Sequence, residues 1–179
     1  KSSGLYEAIN GELIKQNYIQ NQSVYSIAET KSGQLIIGTS SKLVFISNQQ
    51  VEKEITPTYN TKGGTFQPGG SKSIDKLVAD DYGRVWFVAS PGENLFLLKD
   101  NIIYNVFENI GIAPTLINCL FKDDDQNIWI GTFSDGAYCI RLLQCAGYPQ
   151  LRVIGLSETF LWPIYQGAST FGRGIPFLP

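Results

Sequence analysis

The side chains able to do chemistry in this sequence are carboxylates, amides and aromatic rings, because it contains no histidine. That removes serine and cysteine nucleophiles activated by an imidazole, histidine-ligated zinc and histidine general bases together. There is also no Gly-x-Ser-x-Gly elbow, no phosphate-cradling Gly-x-x-x-x-Gly-Lys and no Cys-x-x-Cys pair. Two remaining patterns could carry chemistry. Glu93 and Asp135 could supply an acid and a base to a glycosidic bond. Asp80-Asp81 and Asp123-Asp124-Asp125 offer the hard oxygens that calcium takes. Both clusters fall between two short apolar runs, where Asp serves local backbone hydrogen bonding in a turn, so no metal is expected. A milder chemistry is recognition. Tyr59, Phe66 and Phe133, with Glu93, Asn94 and Asp135, suit stacking on a sugar ring and hydrogen bonding to its hydroxyls.

What must position these groups is a repeat. Leu77-Val78-Ala79-Asp80-Asp81-Tyr82-Gly83-Arg84-Val85-Trp86 returns as Leu120 to Trp129, and a third copy runs from Ile27 to Thr39 with Ile36 in place of Trp. From Ile36 to Trp86 is 50 residues, and from Trp86 to Trp129 is 43. Periods of that length with short apolar runs and polar turns indicate propeller blades or a solenoid. Within each unit a strand, an acidic turn and a partner strand come first. A third strand follows at Leu43–Ile46, Leu95–Leu98 and Ala137–Ile140, and a fourth at Val51–Ile55 and Ile102–Phe107. Leu5–Ile14 reads as a third strand, turn and fourth strand, so the chain opens inside a blade. No segment carries a helical period, and the fold expected is all-β, built of four-stranded antiparallel propeller blades in an incomplete ring. The reading divides residues 1–141 into a partial blade (1–20) and blades at 21–59, 73–109 and 115–141. Residues 142–179, with few charges and four prolines, are either a degenerate fourth blade or a tail covering a sheet edge.

The acidic turn, Trp and Gly-Thr at one register resemble the two-component-regulator propeller repeat, and Asp123 to Thr132 with Gly136 make the best copy. The likeness spans residues 4 to about 141, with Gln126 in place of the turn Gly, Ile36 in place of Trp, and Val88-Ala89 in place of Gly-Thr. It implies a periplasmic sensing region of a hybrid histidine kinase that responds to carbohydrate breakdown products. No kinase, membrane span or DNA-binding segment occurs in these residues, so the implied role is an input module with no catalysis and no cofactor of its own.

Composition fits a folded module: 43% of the 179 residues are hydrophobic and 12% aromatic. A net charge of −2 with scattered Lys and Arg gives no basic stripe, and nucleic acid is not expected as a partner. Direct membrane contact is not expected either. Cys119, Cys139 and Cys145 read as core thiols, with a pairing of two of them as the alternative. Trp86 and Trp129 read as core between blades rather than as sugar platforms. Topology puts the loops entering each innermost strand, and those joining second to third strands, on one face, and these are the binding candidates: Asn21–Ser23, Ser40–Lys42, Pro57–Ser73, Ser90–Asn94, Ala113–Thr115 and Phe133–Asp135. The partners expected are an oligosaccharide and either further blades or a second copy of the chain. A protein-interaction scaffold and a propeller lyase or glycosidase are the competing readings.

Overall fold

A computed structural model describes residues 4–19, 22–61, 64–66, 73–89, 94–110, 115–145, 148–154 and 159–163. Its strands fall into the expected repeat. A hairpin of β1 (Leu5–Ile9) and β2 (Glu12–Gln16) comes first. Blade 1 is then β3 (Val24–Glu29), β4 (Leu35–Thr39), β5 (Leu43–Ser47) and β6 (Gln50–Ile55), antiparallel and in sequence order. A short hairpin, β7 (Tyr59–Thr61) and β8 (Gly64–Phe66), precedes blade 2, which is β9 (Ile74–Ala79), β10 (Val85–Ala89), β11 (Leu95–Lys99) and β12 (Ile102–Asn105). After the short helix α1 (Val106–Ile110), blade 3 runs through β13 (Ile117–Lys122), β14 (Ile128–Thr132), β15 (Ala137–Cys145), β16 (Tyr148–Ile154) and β17 (Thr159–Pro163).

The sheets pack face to face through apolar layers. Ile36, Leu43 and Phe45 of blade 1 meet Ile74, Leu77, Val85, Phe87, Phe96 and Leu98 of blade 2. The other face of blade 2, Trp86, Val88, Leu95 and Leu97, meets Ile117, Ile128, Ile130 and Ile140 of blade 3. Leu5 of the first hairpin packs with Ile37, Val44 and Ile46 of blade 1. Strands covered on both faces explain the unbroken apolar runs such as Val85–Ala89, buried at every position. Each fully buried large side chain there contributes roughly 1.5–3 kcal/mol. The sheets form an arc in all-β architecture, and the described strands do not close it into a ring.

The sequence departs from expectation at Val106 and Phe107, which turn into α1 instead of extending the fourth strand. Asn105 explains the switch. Its Oδ1 accepts from the Glu108 backbone N–H at 3.3 Å and its Nδ2 donates to Glu108 Oε2 at 3.2 Å, a reciprocal cap, while Val106 and Phe107 are anchored in the layer between blades 2 and 3. In each blade the inner strand also carries one residue more than its partner, at Tyr25, Asp75 and Asn118. These bulges sit at the same register, at the end of the inner strand near the loops that enter it.

Candidate functional site

The recurrent acidic turn proves to be structural. Asp80 is 1% exposed, and its Oδ1 accepts from the backbone N–H groups of Tyr82 and Arg84, both at 3.0 Å. Its Oδ2 accepts from Arg84 Nε at 2.5 Å and Trp86 Nε1 at 2.8 Å. Asp123 repeats the pattern with the Asn127 backbone and side chain, both at 2.8 Å, and Trp129 Nε1 at 2.7 Å. The indole N–H, seconded by Asn127, holds the Asp123 carboxyl below its ordinary range. One carboxylate therefore closes the turn and fixes the Trp six residues on, the reason these residue types recur at that spacing. Among the described residues no cluster of three potential metal ligands occurs.

The same turns clamp neighbouring blades. Asp81 binds Lys31 of blade 1 at 3.2 Å and Lys122 of blade 3 at 3.0 Å, and its backbone N–H donates to Gln126 Oε1 at 3.0 Å. The Lys122 ammonium above all, opposed in part by burial and aided by Lys31, lowers the Asp81 pKa. Gln126 occupies the place of the turn glycine at φ 65°, a conformation costing a non-glycine residue roughly 1–2 kcal/mol, and its side chain links blades 2 and 3.

The Gly-Thr of the repeat builds the opposite end of the blade. Thr39, fully buried, donates from Oγ1 to the Lys42 carbonyl at 3.0 Å and accepts from the Lys42 N–H at 3.0 Å, tying the loop between second and third strands. Thr132 does the same with the Gly136 carbonyl at 2.8 Å and the Asp135 N–H at 2.9 Å. Gly38 leaves room for Ser26, whose hydroxyl donates to the Ile74 carbonyl of the next blade at 2.6 Å. A Cβ at Gly38 would strike that hydroxyl and lie 2.7 Å from the same carbonyl.

On this end the candidate residues are placed as follows. Phe133 is 79% exposed on the loop after β14, with its N–H donating to the Leu116 carbonyl at 2.9 Å. Asp135, in the same loop, accepts from the Thr115 hydroxyl, so that carboxylate is engaged. Tyr59 and Phe66 pair across the β7–β8 hairpin, Asn94 is half-buried just before β11, and Glu93 lies outside the described residues. Phe133 and Asp135 thus share one loop, and Asn94 belongs to the equivalent loop of blade 2.

A cleft of about 300 Å³ opens between the first hairpin and blade 1, lined by Asn17, Tyr18, Ile19, Gln22, Val44 and Glu54. Ile19 and Val44 lie at its base and are buried, 4% and 1% exposed, so the accessible lining is mainly polar. Glu54 is held by Lys42 at 2.6 Å. Gln22 Oε1 is buried and has no hydrogen-bond partner among the described residues. Asn17–Gln22 lie on the segment that enters an inner strand, and Val44 and Glu54 at the matching end of their strands, so the cleft is on the face that topology favours. Sequence reasoning reached Gln22 through its loop and missed the rest.

Among the described residues Cys119 and Cys139 are free. Cys139 is buried, which pushes its thiol pKa up and makes it inert. Cys119, read as a core thiol, is exposed, and Trp129 is 39% exposed where Trp86 is fully buried. Both lie on the inner two strands of blade 3, on the face turned away from blade 2, where Cys139 of the third strand is still buried.

Arc, blade order and turn chemistry define an incomplete β-propeller. The two-component regulator propeller family matches residues 111–134, so the third acidic turn and its Trp are a repeat of that kind. No curated protein matches the sequence significantly. Among solved structures, the extracellular domain of a hybrid two-component system from B. thetaiotaomicron is similar in fold, with a TM-score of 0.54 and 17% identity over 89% of this chain and 24% of that one. A protein of unknown function from Bacteroides caccae matches at TM-score 0.41 and 11% identity over 82% of this chain and 47% of its own. The chain spans under half the length of either.

Proposed function

We propose that this arc is part of a non-enzymatic, extracytoplasmic sensor propeller that takes a saccharide unit in the cleft beside Gln22 and relays binding to attached signalling domains. The observation that supports it best is the buried Gln22 oxygen, unpartnered among the described residues, in a cleft whose other polar groups are Asn17, Tyr18 and Glu54. A buried acceptor without a donor costs about 1–3 kcal/mol, and a ligand hydroxyl removes that cost. About 300 Å³ accommodates a single sugar ring among polar groups. The family match and the extracellular two-component domain similar in fold support sensing rather than turnover. Asp135, bonded to Thr115, is poorly disposed as a free base. Calorimetry of the chain against a panel of mono- and oligosaccharides tests the proposal. Saturable binding that Gln22→Leu weakens at least tenfold is expected, and no binding to any member, or binding indifferent to Gln22→Leu, contradicts it.

A further inference from the structure

The cleft beside Gln22 carries a charge pattern that decides which sugars fit it. Among its described lining residues Glu54 alone bears a charge. Glu54 stands opposite Val44 across β5 and β6, and Lys42 Nζ donates to its Oε2 at 2.6 Å. Thr39 ties both the backbone N–H and the carbonyl of Lys42, so the ammonium is rooted beside the cleft and already engaged by Glu54. A second carboxylate is near. Glu7 shares the hairpin face of Leu5, which packs on blade 1, and accepts from Nε2 of Gln16, the residue before Asn17, at 2.8 Å. The other cations of these strands face away: Lys15 is paired with Tyr6 on the far side of the hairpin, and Lys53 lies over Phe45 on the opposite face of blade 1. Gln22 sets a further condition. Its Oε1 is an acceptor with no donor among the described residues, so the ligand group opposite must bring a hydroxyl or an N–H, whereas a carboxylate or sulfate oxygen brings only lone pairs.

We propose, on the saccharide reading of this cleft, that Glu54 held by Lys42 is its charge filter: the site takes a neutral sugar unit that presents hydroxyl or amide N–H donors to Gln22, and it excludes uronic acids and sulfated sugars. An anionic sugar entering the cleft meets the Glu54 carboxylate, and like charges repel more strongly in a part-buried site than in water. Lys42 reaches such a sugar only by leaving Glu54 unpaired, so rejection of the wrong ligand is built into the pair. A site in which Lys42 attracts an anion fits less well, because the carboxylate lines the cleft and Lys42 is not among the lining residues.

The test is calorimetry of the whole chain against matched probes: each neutral hexose oligosaccharide of the panel, the oligosaccharide of the corresponding uronic acid, and the methyl ester of that acid. The neutral and esterified members are expected to bind at least roughly tenfold more tightly than the free acid at low ionic strength, and added salt should narrow the gap. A free acid that binds as tightly as its neutral and esterified counterparts overturns the proposal and leaves the saccharide site standing. No binding of any probe overturns the saccharide reading and the proposal with it. Glu54→Gln, which releases Lys42, should shrink or invert the preference by at least roughly tenfold, and Lys42→Gln, which keeps the carboxylate, should preserve or widen it. An unchanged preference in Glu54→Gln, with its far-UV circular dichroism intact, or a preference lost in Lys42→Gln, overturns the proposal. The comparison of acid with ester in the unmodified chain stands whether or not either variant folds.

Discussion

Trp86 and Trp129 occupy one register, donate to equivalent turn aspartates and differ in being fully buried and 39% exposed, so replacing each by Ala measures what a covering blade is worth. At Trp86 the loss combines transfer of the ring with an enclosed cavity between blades 2 and 3, and core Trp→Ala replacements cost about 3–5 kcal/mol. At Trp129 about three-fifths of the surface is out of water and the space left by the ring is open to solvent. Only the transfer part and the indole hydrogen bond are lost, about 2 kcal/mol. With a urea m-value of about 2.5 kcal/mol/M, Trp86→Ala should move the midpoint by roughly 1.6 M and Trp129→Ala by roughly 0.8 M. Far-UV circular dichroism across a urea series gives both. Equal shifts would refute the reasoning, because the face of Trp129 would then be as enclosed as that of Trp86.

Further outcomes follow from the same contacts. Asp80→Asn leaves Arg84, whose side chain is 4% exposed, buried without an anion, and should cost about 3–5 kcal/mol; Asp123→Asn, in the more exposed copy of the turn, should lower the midpoint of a urea titration by less. Gly38→Ala places a methyl against Ser26 and the Ile74 carbonyl and should cost about 1–3 kcal/mol, read as a fall in melting temperature. Because the carboxyls of Asp81 and Asp123 are held below their ordinary range in the fold, their contribution is complete above the unfolded carboxylate pKa and is lost as pH falls through the folded one. Stability should be flat in this respect from pH 7 to about pH 5 and fall below about pH 4, and Asp123→Asn should make that acid limb shallower.

The strand order and turn register were legible because they are local and periodic: an Asp, a positive-φ residue three later and a Trp six later lie within one hairpin. The α1 switch was legible in principle from Asn105 and Glu108, but the apolar run Ile102–Phe107 masked it. What the sequence could not reveal depends on neighbours. Gly38 is small because of Ser26 and Ile74 of the adjoining blade, and Trp129, at the register of Trp86, is exposed on the face turned away from blade 2. The cleft gathers Tyr18, Gln22, Val44 and Glu54 from separate strands and loops, and no spacing within the sequence announces it. Phe133, singled out for stacking, lies on a loop that contributes no residue to the described lining of that cleft.

Chemical-shift mapping of the chain during titration with the tightest saccharide of the panel tests the account most directly. Backbone and side-chain amides of Asn17, Gln22, Val44 and Glu54 should shift together and saturate at one stoichiometric site, with the Gln22 side-chain amide among the largest changes. Shifts confined to the acidic turns at Asp80 and Asp123, or to the Phe121–Trp129 face, would contradict it.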